Sequence, residues 1–113
     1  MTFILTLFTS MPIMAHAPVQ DLLCTYNNQT IEIRIKEDQA FLKLPQEKSS
    51  LKWEMPESAD QWDPKNKQIF DTYNFEKDQK KITLKVPETK GPMTEPVVLF
   101  EGKTYKCRTL QKK

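Results

Sequence analysis

In Thr30-Ile31-Glu32-Ile33-Arg34-Ile35-Lys36, apolar and polar residues alternate without a break. Successive side chains of a strand point to opposite faces, so the three isoleucines share one face and the polar residues the other. Leu51 to Met55 and Ile82 to Val86 repeat the pattern. No segment sustains a 3.6-residue period over the length of an ordinary helix. Leu22–Tyr26, Gln39–Leu44, Gln68–Phe75, and a hairpin of Val97–Glu101 and Thr104–Leu110 around Gly102-Lys103 complete the expected strands. The polar stretch Glu57 to Lys67 reads as a loop or a short helical turn, Glu76 to Lys81 as a charged turn, and Pro87 to Pro96 as a proline-rich loop. The fold class is therefore all-β: a small antiparallel β-barrel or sandwich of about 7–8 strands. A barrel would also remove the strand edges that an open sheet exposes.

The ends of the chain add a second constraint. Residues 1–17 contain no Lys, Arg, Asp or Glu, carry an apolar run, and end Ala15-His16-Ala17, the small-x-small form of a signal peptidase site. The expected organisation is a signal peptide over 1–17 and a single β-barrel-like domain over 18–113. No membrane span is expected after leader removal, and the location is periplasmic or secreted. Cys24 and Cys107 are the only cysteines. An even count in a small exported chain reads as a disulfide.

Composition excludes more chemistry than it suggests. The only histidine, His16, falls in the leader, so the domain lacks the commonest general base and metal ligand. With both cysteines bonded there is no thiol nucleophile, and Gly91 and Gly102 alone cannot build a phosphate-cradling loop. No spaced Asp run with a loop glycine marks a calcium site. No cofactor or metal is expected, and the chain does not read as an enzyme. Glu57, Asp60 and Asp63 cluster in one polar stretch, and of these Asp60 and Asp63 are the acids that a small glycan hydrolase would use. The 17 basic and 15 acidic residues are interspersed and leave a net charge of +2. That balance gives no field for nucleic acid, and no nucleic-acid partner is expected.

The opening Cys24-Thr25-Tyr26-Asn27-Asn28-Gln29-Thr30-Ile31-Glu32-Ile33 and the closing Phe100-Glu101-Gly102-Lys103-Thr104-Tyr105-Lys106-Cys107-Arg108 resemble the terminal strands of MliC-type inhibitors of c-type lysozyme. The resemblance implies a small barrel, shared with adhesin complex proteins, with a cysteine on each terminal strand. Those inhibitors place a Ser-Gly-x-x-Tyr loop in the lysozyme cleft, with a Lys-Gly loop beside it. Here Ser58-Ala59-Asp60-Gln61-Trp62 stands nearest, with alanine for the glycine and tryptophan for the tyrosine, and Lys90-Gly91 lies in a different loop.

The expected function is thus an exported bacterial binding protein, lysozyme-inhibitor-like, that occludes an enzyme cleft. Its contact residues are Ser58, Asp60, Trp62 and Asp63, with Trp62 as anchor, and its partner is a protein such as c-type lysozyme. The alternative is a non-inhibitory structural or adhesive envelope protein. Because c-type lysozyme is basic and this chain slightly so, net charge supplies no attraction between them.

Overall fold

The structure, a computed structural model, describes residues 21–36 and 38–110. The expected leader and the tail 111–113 lie outside the described residues. Among the described residues nine strands follow one another: β1 (Leu22–Tyr26), β2 (Gln29–Lys36), β3 (Gln39–Lys43), β4 (Leu51–Trp53), β5 (Ser58–Asp63), β6 (Gln68–Lys77), β7 (Lys80–Pro87), β8 (Val97–Phe100) and β9 (Lys103–Thr109). They form one antiparallel sheet in the order β4-β3-β2-β1-β9-β8-β7-β6-β5, curled into a half-barrel.

Alternation decides which face is which. Ile31 and Ile33 of β2 are fully buried, as are Ala40 and Leu42 of β3, Ile82 and Leu84 of β7, and Val98 of β8. With Trp53, Tyr73, Phe75 and Tyr105 they fill the concave side as one cluster. Cys24 and Cys107 sit directly opposite each other on β1 and β9 and form the disulfide inside this cluster. The bond joins the terminal strands where they meet at the middle of the sheet.

The sheet is neither a sandwich nor a closed barrel. Its edges, β4 and β5, have no ladder between them. Because all the pairings are antiparallel, these two strands run in the same sense. Only residues 54–57 connect them, and a link that short cannot return the chain to the start of a parallel neighbour. The two edges therefore follow each other as a broken strand. Its first half pairs with β3 and its second half with β6.

Turn chemistry accounts for two of the hairpins. Glu101 and Gly102 both take positive φ, 53° and 74°, as a two-residue turn of the primed type requires. Asp78 and Gln79 do the same at 50° and 68° with no glycine. Strands β6 and β7 therefore run on to Lys77 and from Lys80, and the expected charged turn Glu76–Lys81 shrinks to two residues.

Candidate functional site

The stretch expected to be a loop, Glu57 to Lys67, is mostly strand. Ser58–Asp63 pair in register with β6, from Ser58 opposite Tyr73 to Asp63 opposite Gln68. A strand exposed on both faces carries no apolar alternation, so the sequence leaves it without a strand signature. Its residues from Ser58 to Trp62 are all exposed, and Trp62 keeps 57 % of its surface in water. Trp53, by contrast, is 2 % exposed and belongs to the core.

The β5–β6 hairpin reaches past the rest of the sheet in steps. The β6–β7 ladder begins at Phe70 and is carried one residue further by the Glu88 N–H, which donates to Ile69 O at 2.8 Å; the β7–β8 ladder stops at Lys85, leaving Val86 and Pro87 beyond it. The tip is braced at both ends. Asp63 accepts hydrogen bonds from the Lys65 backbone N–H at 3.0 Å and from Asn66 Nδ2 at 2.8 Å, which shapes the turn. The Asn66 bond is the main reason that the Asp63 carboxyl lies below its ordinary value. On the other strand, the Gln68 side chain clamps the proline-rich loop. Its Nε2 donates to Thr89 O at 3.0 Å and Met93 O at 2.9 Å, and its Oε1 accepts from Met93 N at 3.0 Å.

Alternation divides the four expected contact residues. Ser58, Asp60 and Trp62 share the concave face with Tyr73, Asp71 and Ile69, their partners on β6. Asp63 lies three residues from Asp60 and faces the convex side, where it holds the turn. Asp60 and Asp63 therefore do not flank a common point, and the hydrolase expectation loses its pair of acids.

The sequence reading missed the neighbours of Asp60. Carboxylate oxygens of Asp60, Asp71 and Glu88 all lie within 4.8 Å of one another. Asp71 is 4 % exposed and accepts a hydrogen bond from the Tyr73 hydroxyl at 3.0 Å. Burial, and after it the Asp71 bond, push the Tyr73 phenol up to about 12, while the Ser58 hydroxyl acts in the opposite direction. The group is a negative patch that suits an ammonium or guanidinium group; a divalent cation would find the same donor set. Its signal in the sequence is Asp71 itself, an acid in the inward phase of Ile69-x-Asp71-x-Tyr73-x-Phe75.

Fold and site together define an all-β antiparallel half-barrel with one disulfide and an exposed edge hairpin that carries acids on its first strand and Lys65 and Lys67 at its turn. No family model, curated protein or solved structure matches the chain. Among the described residues no helix is long and apolar enough to cross a membrane.

Proposed function

We propose that the protein is an exported bacterial binding module of the lysozyme-inhibitor type, which uses the β5–β6 hairpin to occlude the cleft of an enzyme. The observation that carries the reading is Trp62, a large aromatic left 57 % exposed on a braced, projecting hairpin. Exposed aromatics on rigid supports are the usual anchors of protein interfaces. A hairpin supports such an anchor better than the loop expected from the sequence, because ordering it costs little further entropy on binding. Charge also favours a basic partner locally. Glu57, Asp60 and Asp63 give the hairpin's leading strand an acidic character despite the net charge of +2.

The test is inhibition of peptidoglycan lysis by c-type lysozyme, using the oxidised protein. Stoichiometric inhibition that Trp62→Ala weakens at least roughly tenfold supports the reading. No inhibition at high excess removes it. The second reading, a non-inhibitory structural or adhesive envelope protein, then takes its place. The departures at Ala59 and Trp62 from the inhibitor loop favour that alternative.

A further inference from the structure

Strand β5 has a neighbour on one side only. Its ladder to β6 uses one edge, and no backbone hydrogen bond joins its other edge to any described residue. In an antiparallel pair, alternate residues direct their N–H and C=O groups away from the partner. Half of the peptide groups of Ser58–Asp63 thus face outward as a strand template. Open edges of this kind are ordinarily shortened, twisted away or charged. The other edge, β4, is shortened to Leu51–Trp53. The β5 edge keeps six residues and is charged instead, by Asp60 and Asp63 with Glu57 just before them.

We propose that β5 is a strand-addition site whose occupant is an extended, basic segment of another protein. This rests on the binding-module reading and specifies its mode. A second copy of β5 is a poor occupant, because pairing two such strands brings Asp60 and Asp63 of one copy beside the same acids of the other. A basic strand makes the same charges attractive, and the backbone ladder supplies affinity that does not depend on sequence.

Register then sets specificity. On the concave face, a lysine or arginine beside Asp60 meets the carboxylates of Asp60, Asp71 and Glu88 together. The residue two positions along the added strand falls beside the exposed face of Trp62 and is best apolar. The recognised element is a basic residue and an apolar residue separated by one position, in an extended segment. Residues on the convex side, beside Ala59 and Gln61, are left largely unconstrained.

The experiment uses the isotope-labelled full chain and three probes. These are a short peptide of alternating lysine and valine, its glutamate counterpart, and the lysine peptide N-methylated on alternate residues. The lysine peptide is expected to slow amide exchange in Ser58–Asp63 and to bind at least roughly tenfold more tightly than the other two. Asp60→Asn, whose exposed side chain can change without disturbing the core, is expected to weaken it by a similar factor. Equal binding of the N-methylated peptide overturns strand addition, since charge alone would then account for the contact. Protection mapped to β4, outward-facing β5 amides (those not bonded to β6) already protected in the free chain, or dimerisation through β5 overturns it as well. A protein that binds the lysine peptide but spares lysozyme keeps this site and loses the occlusion reading. One that inhibits lysozyme but ignores the peptide does the reverse.

Discussion

Gln68 and Gly91 act as one joint. The three hydrogen bonds of the Gln68 amide hold the proline-rich loop, and a Cβ on Gly91 would run into the Gln68 side chain. Gly91→Ala is therefore expected to cost about 1–3 kcal/mol by overpacking, read as a lower urea midpoint. Gln68→Leu should cost about 2–4 kcal/mol, since it leaves the loop groups that Gln68 served without their partner. Tyr73 carries a pH signature. Its phenol ionises at about 12 rather than 10.0, so the folded protein holds the proton more tightly than the unfolded chain. That contribution is complete below pH 10.0 and is lost as pH rises through about 12. Thermal unfolding of the wild type should fall across this alkaline window, and Tyr73→Phe should fall less. Phenolate absorbance from Tyr73 already rising near pH 10.0 would falsify the assignment.

At the scale of elements, the two tryptophans separate stability from binding. Trp53, on β4, is 2 % exposed and packs in the core. Trp53→Ala should cost about 3–5 kcal/mol. Trp62 lies on the other half of the same broken strand, yet Trp62→Ala should change stability by no more than about 0.5 kcal/mol. Urea unfolding of the two variants checks both values. A large loss at Trp62 would mean that the hairpin is part of the core and not a presented surface. Both residues follow the same local rule of alternation. They differ because β4 curls over the concave side, whereas β5 continues beyond it.

At the scale of the molecule, the disulfide closes 83 residues of chain between neighbouring strands. In the chain-entropy treatment this stabilises by about 4–5 kcal/mol, so Cys24→Ala with Cys107→Ala should lower the unfolding free energy by that order. Equal denaturant midpoints for oxidised and reduced protein would show that the paired strands already supply the constraint. Folding also concentrates acids locally. Convex strand positions mix the cations Arg34, Lys43, Lys52, Lys85, Lys106 and Arg108 with the acids Glu32, Asp63 and Glu76, while Asp60, Asp71 and Glu88 gather on the concave side of the hairpin. A net charge of +2 conceals this acidic cluster. Association of a basic protein with the hairpin should therefore slow as salt rises, which stopped-flow measurement can follow.

The sequence by itself determined the all-β class, the inward phase of β2 and β7, and the pairing of Cys24 with Cys107. These follow from period-two alternation and from the lack of any other cysteine, both of which are local or countable. It did not reveal β5 as a strand, because a strand wet on both faces has no apolar phase to read. Nor did it reveal the turn at Asp78-Gln79, where tertiary pairing holds two non-glycine residues at positive φ. Only the tertiary structure decided that the sheet stays open, with β4 and β5 as successive halves of a broken strand. The same closure in space brought Glu88 beside Asp60 and Asp71, across 28 residues of chain between the outermost two. Such neighbours are set by strand register and curl, which depend on every ladder at once and on no single segment.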